Sequence, residues 1–284
     1  MKKLSKILLL ATTILLSSCK MAVLDPKGII ASSQKHLFID AILLMLIVVI
    51  PVIILSFIFA WKYSAKNKDA NYTPNWSHST AIETVCWLVP CIIIAVLATM
   101  TWISSHKLDP YRPLDAKGKP VIIQAVALDW KWLFIYPNQH IATVNYVQIP
   151  THTPIRFMIT ADAPMNSLEI PRLAGQIYAM PGMRTQLNLM ADEAGSYTGF
   201  SANYSGNGFS GMNFTVKVGS EQQFNQWIGK VKRSKHRLSM HAYNLLARPS
   251  ENDKVRYFSH SEDKLFRKVI EKYLKPSNTE RHKS

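Results

Sequence analysis

Cysteine is scarce in this chain, and its distribution excludes a thiolate metal site from most of the sequence. The 284 residues contain three cysteines, Cys19, Cys86 and Cys91. A pair of copper ions held close together needs soft, bridging thiolate ligands. No residue after Cys91 can supply one, so the larger, C-terminal part of the chain cannot build such a site.

Acidic residues are also few, at 18 Asp and Glu against 33 Lys and Arg, for a net charge of +15. Residues 221–284 hold 15 Lys and Arg against 7 Asp and Glu. A basic segment of this kind can bind nucleic acid, but the exported location predicted below excludes that partner. Membrane lipid headgroups, acidic surfaces of partner subunits and a simply solvated face remain as interpretations.

The N-terminus has the pattern of a secretory signal. Lysines at positions 2, 3 and 6 precede an apolar run over residues 7–16, which ends in Leu16-Ser17-Ser18-Cys19. The run is too short to span a bilayer comfortably, and the ending resembles a bacterial lipobox. We therefore predict a lipoprotein signal peptide at 1–18 and lipidation at Cys19. An ordinary signal with a stray cysteine and a third spanning helix are the alternatives.

Two later apolar runs are long enough to cross a membrane. They cover residues of about 37–61 and 81–104, and about 20 residues suffice for a spanning helix. Together with the N-terminal stretch they predict a two-helix hairpin within residues 19–107. Because Cys19 would be exported, the hairpin dips into the membrane and returns, and everything after Lys107 lies outside.

Residues 108–219 change to short β-rich segments separated by turns. Val121–Ala127 and Trp130–Tyr136 are rich in strand formers, and Pro, Gly, Asn and Asp punctuate the segments that follow. Such spacing is typical of a β-sandwich or barrel. Acidic residues such as Asp162 show no catalytic pairing and are interpreted as surface or turn residues.

The last segment, 220–284, is predicted to be a basic helical extension. Apolar residues recur with helical spacing at Phe224, Trp227, Ile228 and Val231, and a second stripe begins at Leu265. Ser259-His260-Ser261-Glu262, just before that second stripe, has the form of a capping box.

One loop carries the most specific signal. In the copper-containing members of one family the loop reads Cys-x-Glu-x-Cys-x-x-x-His-x-x-Met, with a further His upstream. Here the corresponding residues, from the upstream position onward, are Asn166, Ser201, Asn203, Ser205, Phe209 and Met212. The spacing is kept, while every ligand except Met212 is lost. The chain resembles subunit 2 of the haem–copper oxidases, in the quinol-oxidising branch of cytochrome bo-type ubiquinol oxidases.

This resemblance implies a membrane helical hairpin followed by an all-β cupredoxin-like Greek-key sandwich without copper, and then a C-terminal helical extension. It implies a subunit of a proton-pumping ubiquinol oxidase in a bacterial inner membrane, with no redox centre of its own. Haem b, haem o, one copper and ubiquinol are then expected in subunit 1, with subunits 3 and 4 as further partners. The alternatives are a membrane-anchored binding lipoprotein and, against the missing thiolates, a cytochrome c oxidase subunit 2.

Glu83 is the one candidate for chemistry in the hairpin. It lies at the inner-side start of the second apolar run, where an ionisable residue is a functional candidate. By resemblance, it lies where protons enter a channel of subunit 1. The alternative is a helix cap formed with Thr80. The aromatic segment from Trp130 to Tyr136, a landing site for electrons in copper-containing relatives, is interpreted as core packing.

Overall fold

The computed structural model describes residues 21–65, 67, 73–114, 116 and 118–274. The predicted signal peptide and Cys19 lie outside the described residues. The chain divides into two compact units. One spans residues 33–109, and the other combines residues 110–284 with the N-terminal residues up to Ser32.

The first unit consists of two long apolar helices, α1 (Ile29–Lys62) and α2 (Thr80–Lys107). Their most apolar windows have mean hydropathy of 3.3 and 2.3. At a rise of 1.5 Å per residue, each exceeds the roughly 30 Å of a bilayer core. Large apolar side chains such as Phe57, Trp87 and Trp102 are exposed along both helices. This is the surface of a membrane-spanning hairpin, as predicted, with α1 beginning earlier than expected.

The second unit is a sandwich of two β-sheets. The six-stranded sheet has the order β11-β3-β2-β1-β5-β8, and the five-stranded sheet has the order β4-β10-β9-β6-β7. Most neighbours are antiparallel, but β1 with β5 and β4 with β10 are parallel. The strands are β1 (Val121–Leu128), β2 (Lys131–Tyr136), β3 (Ile141–Val144), β4 (Tyr146–Pro150), β5 (Ile155–Ala161), β6 (Asn166–Ile170), β7 (Ala174–Ala179), β8 (Thr185–Leu189), β9 (Gly195–Ser201), β10 (Asn213–Gly219) and β11 (Arg256–Phe258).

Strand β2 shows how the sandwich is covered, because all six of its residues are buried. Trp132, Phe134 and Tyr136 point into the core between the two sheets. Leu133 and Ile135 point to the opposite face, into a second apolar cluster formed with the C-terminal residues. A strand covered on both faces loses polar alternation. Trp132, Phe134 and Tyr136 are therefore core, as interpreted, whereas Trp130 is only partly buried and lies outside the core.

The C-terminal extension contains helices α3 (Glu221–Lys232), α4 (Met240–Leu246) and α5 (Leu265–Leu274). Helices α4 and α5 supply the cover of the second face, and α3 packs against the core between the sheets. The predicted stripe of α3 is buried at all four positions, and Ser220 and Gln223 form a capping box at its start. The prediction of a purely helical extension was incomplete, because β11 pairs with β3 and adds a sixth strand to the sheet.

The capping box predicted at Ser259 was wrong. Helix α5 begins only at Leu265. The Ser259 hydroxyl donates to the His236 carbonyl at 3.0 Å, and the Glu262 carboxylate accepts from the backbone N–H of Met240 at 2.6 Å. Glu262 therefore joins α4 to the extension's last segment, a tertiary contact that the local sequence pattern does not reveal.

The segment just before α1 is part of the β domain. Gly28 forms a β-bridge with Ala191, and the Lys27 ammonium donates to Glu193 at 2.7 Å. A side chain at Gly28 would meet the Met190 carbonyl oxygen at 2.6 Å, so only glycine permits this approach. The first helix therefore starts from a segment fixed to the β domain.

Asp162 corrects another expectation, because it is buried and not a surface residue. Its carboxylate accepts hydrogen bonds of 2.6 Å from the Tyr243 hydroxyl, the Tyr273 hydroxyl and the Lys272 ammonium. The donors belong to α4 and α5, so one carboxylate after β5 ties both helices to the sandwich. Burial and the hydrogen bond to Asp162 raise the pKa of the Tyr243 hydroxyl.

Removing the Tyr243 hydroxyl tests this connection. Tyr243→Phe deletes a buried hydrogen bond to a charged acceptor and should lower the free energy of unfolding of the β domain by about 1.5–3 kcal/mol. The measurement is chemical unfolding of the full chain in detergent. Tyr178→Phe is the control, since Tyr178 is 46% exposed, and its change should stay within about 0.5 kcal/mol. Equal effects of the two changes would contradict the role of Asp162.

Candidate functional site

The metal-loop positions singled out from the sequence come together at the ends of β6, β9 and β10. The Ser201 hydroxyl donates to Asn166 Oδ1 at 2.7 Å, in a fully buried contact. The backbone N–H of Ser201 donates to the Met212 carbonyl at 3.1 Å, and the Met212 side chain is buried. Asn166 Nδ2 donates to the Pro164 carbonyl at 2.7 Å. Polar groups at three of these positions thus bond to one another or to the backbone.

The rest of the loop is closed by local contacts. Asn203 Nδ2 donates to the Met165 carbonyl at 3.0 Å. The Phe209 ring packs against Tyr204 with centroids 5.6 Å apart. The Ser205 hydroxyl is buried and has no hydrogen-bond partner within the described part of the chain. Phe209 offers no ligand atom, and Ser205 offers a hard hydroxyl, which is a poor copper ligand.

Trp130 covers this loop from the β1–β2 turn. Its indole N–H donates to the Ser205 carbonyl at 3.0 Å, and its backbone has a φ of 63°. Such a conformation is unfavourable for a bulky residue. A Cβ at Gly208 would lie 2.6 Å from two atoms of the Trp130 ring and 2.8 Å from Glu251 Cγ. The absence of a side chain at Gly208 therefore allows Trp130 of the β1–β2 turn and Glu251 of the extension to pack against the loop.

A buried ion pair fixes the extension beside this loop. Lys131 is fully buried; its ammonium donates to the Arg248 carbonyl at 2.8 Å and lies 3.4 Å from an Asp253 carboxylate oxygen. Burial lowers the pKa of the Lys131 ammonium, and the Asp253 carboxylate raises it by a smaller amount. Burial alone would raise the pKa of Asp253, but Ser250 and the neighbouring cations lower it overall. The sequence analysis did not single out Lys131, because the tripeptide Asp-Trp-Lys has the composition of a solvent-exposed turn.

The loop does not fit the dinuclear copper centre that its spacing suggests. Such a centre needs bridging thiolates and imidazoles, and the chain places Ser201, Ser205, Phe209 and Asn166 at those positions. Cysteine is absent beyond residue 91. Over the described residues, moreover, no three His, Cys, Asp or Glu side chains group as a metal site would require.

Glu83 lies in the first turn of α2, as predicted, but the cap with Thr80 does not form. Its carboxylate lies 2.7 Å from His78 Nδ1, and His78 Nε2 lies 3.2 Å from the Thr80 hydroxyl. Because an ionised carboxylate can only accept, Nδ1 donates the hydrogen bond. His78 and Glu83 are both more than half exposed in the isolated chain. The sequence analysis missed His78, whose only signal is its position just ahead of the helix.

Comparison with known protein families indicates the class of protein to which the exported part of the chain is similar. Residues 136–219 match the family described as "Cytochrome C oxidase subunit II, periplasmic domain", and residues 232–277 match the "COX Aromatic Rich Motif". The periplasmic domain of subunit II of cytochrome oxidase from Bradyrhizobium japonicum aligns with 42% of this chain and 96% of that chain, at 18% identity and a TM-score of 0.39. The two family matches make the sandwich and the extension similar to the corresponding parts of subunit II of the cytochrome oxidases.

Relatives that match over most of their length identify the family to which the chain belongs. The chain is 55% identical to "Cytochrome bo(3) ubiquinol oxidase subunit 2" of Pseudomonas aeruginosa, over 94% of this chain and 81% of that protein. It is 51% identical to "Ubiquinol oxidase subunit 2" of Acetobacter aceti, over 93% of this chain and 86% of that protein. The chain therefore belongs to the ubiquinol oxidase subunit 2 family, which confirms the resemblance stated above.

A pair of glycine substitutions tests how the loop is packed. Gly208→Ala forces a Cβ against Trp130 and Glu251 and should destabilise the β domain by about 1–3 kcal/mol, as overpacking does. Gly229→Ala is the control, because it lies in α3 with no atom within 4 Å of an added Cβ. It should stabilise by about 0.5–1 kcal/mol through helix propensity. Unfolding of the full chain measures both, and a neutral Gly208→Ala would contradict the close packing.

Proposed function

We propose that this chain works as the second subunit of a membrane complex that oxidises ubiquinol, reduces oxygen to water and translocates protons. The catalytic centres lie in subunit 1. In this proposal subunit 1 holds haem b, haem o, one copper and the ubiquinol site, and subunits 3 and 4 complete the complex. The present chain braces subunit 1 with its hairpin and covers it with the exported domain, without a redox centre of its own.

The observation that carries this proposal is the closed loop without ligands. Ser201 bonds to Asn166, Trp130 bonds to the Ser205 carbonyl, and Phe209 packs on Tyr204. These contacts hold the loop closed, and the side chains at positions 166, 201, 205 and 209 offer neither a thiolate nor an imidazole to copper. A subunit with this loop cannot accept electrons at its exported surface, so electrons must enter the complex elsewhere, as they do if the donor is a quinol within the membrane.

The proposed topology follows from the attachment of the N-terminal segment. Lys27 and Gly28 contact residues 190–193 of the β domain. Helix α1 then starts on the same side of the membrane as that domain, and the hairpin returns the chain to it. Periplasmic exposure of both the domain and the mature N-terminus is compatible with a lipid on Cys19, which we retain as a proposal. The proposed boundaries stay at 1–18, 19–107, 108–219 and 220–284.

Glu83 is the proposed point at which protons enter from the inner side, with His78 as its partner. The carboxylate and the imidazole are joined by one 2.7 Å contact and face outward from the isolated hairpin. Both an imidazole and a carboxylate can accept a proton and pass it on, so the hydrogen-bonded pair offers a route for protons from water at the inner side. Subunit 1 would receive them from there.

Purification through an affinity tag on this chain tests the assignment. A detergent extract should contain b- and o-type haem in the optical spectrum, because the haems belong to the attached subunit. A preparation of this chain alone, free of haem, would favour the membrane-anchored binding lipoprotein instead. The exported domain should carry no copper of its own, so two further coppers per complex would contradict the proposal.

Glu83→Gln tests proton uptake in the intact complex. The amide keeps the size of the side chain and cannot exchange a proton, so oxygen reduction should slow about tenfold, equivalent to roughly 1.4 kcal/mol on the barrier. His78→Ala should lower the rate in the same direction and to a smaller extent. Glu221→Gln, at the exposed start of α3, is the matched control and should leave the rate unchanged. Wild-type turnover in Glu83→Gln would remove Glu83 from the proton path.

A further inference from the structure

An unpaired basic surface lies between α3 and α4. Residues 230–237 read Lys-Val-Lys-Arg-Ser-Lys-His-Arg, so five of eight are Lys or Arg. All five are exposed, and none of their side chains forms an ion pair with an Asp or Glu of the described chain. The C-terminal end of α3 compensates Lys230 and Lys232 through its dipole. The three cations that follow have no such compensation, and like charges this close repel one another.

An apolar groove lies beside these cations. Its volume is about 470 Å³, and its lining includes Ser234 and His236 of the basic stretch and Arg256, which also pairs with Asp253. Leu246 and Phe258 also line it, and two further lining residues, Leu245 and Val255, are 48% and 43% exposed. Apolar side chains beside polar and charged ones are compatible with a protein–protein contact, in which the centre is apolar and the rim is polar.

We propose that this basic groove, residues 230–237 together with Leu245, Val255 and Arg256, binds an acidic segment of another polypeptide of the oxidase complex. The segment would place an aliphatic side chain in the groove and flank it with Asp or Glu. The inference rests on the proposed function, because that function requires partner subunits in the same membrane. Charge complementarity of this kind selects a partner and its orientation.

A bilayer is the less suitable partner for this surface. Proteins that lie on a membrane do so with an apolar face that reaches into the headgroup region and cations beside it. Here the apolar side chains line a recess, which a chain segment can fill and a flat lipid surface cannot. Anionic phospholipid is therefore the competing outcome of the test.

Zero-length carbodiimide cross-linking of the purified complex tests the proposal, because the reagent joins an ammonium only to a carboxylate in contact with it. Peptide mapping by mass spectrometry should find Lys232 or Lys235 joined to an Asp or Glu of a second polypeptide. In R233Q/K235Q/R237Q, the cross-links from Lys232 should be lost, and that polypeptide should dissociate about tenfold faster in a salt wash.

The control is K119Q/R184Q/K217Q, which removes the same charge from exposed positions outside the groove and should keep both cross-links and partner. Cross-links confined to this chain, or none from the basic groove, would overturn the proposal. So would a groove variant that keeps its partner but loses bound phospholipid phosphate. The haem content distinguishes the failure of this proposal from the failure of the proposed function. A haem-containing complex without these cross-links contradicts only the proposal for the basic groove. Cross-links to a second polypeptide in a haem-free complex contradict only the proposed function.

Discussion

The six-stranded sheet must be covered on both faces, and the rest of the exported domain depends on this constraint. Its inner face packs against the five-stranded sheet, and its outer face presents Val126, Leu128, Leu133 and Ile135. Exposed to water, these side chains would form a contiguous apolar patch of the kind that drives association. The C-terminal extension removes it by packing α4 and α5 on that face and adding β11 at the edge of the sheet, while α3 packs against the core between the sheets. The extension is therefore part of the fold and not an appendage to it.

The same constraint explains where the buried charges lie. Asp162 receives donors from α4 and α5, and Lys131 contacts Asp253 and the Arg248 carbonyl. Both are at the seam between the sandwich and the extension. Buried charges are costly unless paired and hydrogen-bonded, and here their partners come from the opposite side of the seam. Any displacement of the extension would leave these charges unsatisfied, so they fix its position more specifically than apolar contacts do.

Much of this architecture could be predicted from the sequence, where its determinants are local. The two spanning helices, the β-rich segments and the buried stripe of α3 each follow from hydrophobic periodicity. That the loop between β9 and β10 holds no thiolate or imidazole also follows from residue identity alone. What could not be predicted depends on distant contacts. Asp162 and Lys131 resemble solvated residues until the extension folds over them, and Glu262 resembles a helix cap until its carboxylate is found on the N–H of Met240. His78 gains a role only when its ring is placed beside Glu83.

The loop between β9 and β10 shows how a loop without metal ligands is held closed. A metal would hold the loop ends together through strong bonds; here a Ser–Asn hydrogen bond, a backbone bond between Ser201 and Met212, and the Trp130 indole do so. Each is individually weak, of the order of 1 kcal/mol net, so the loop also depends on being covered. Glycines 208 and 211 admit Trp130, Glu251 and Asn252 to contact distance, and two of these three belong to the extension. The cover of the outer sheet face and the closure of the loop are therefore one structural requirement, and a chain with this loop needs its extension.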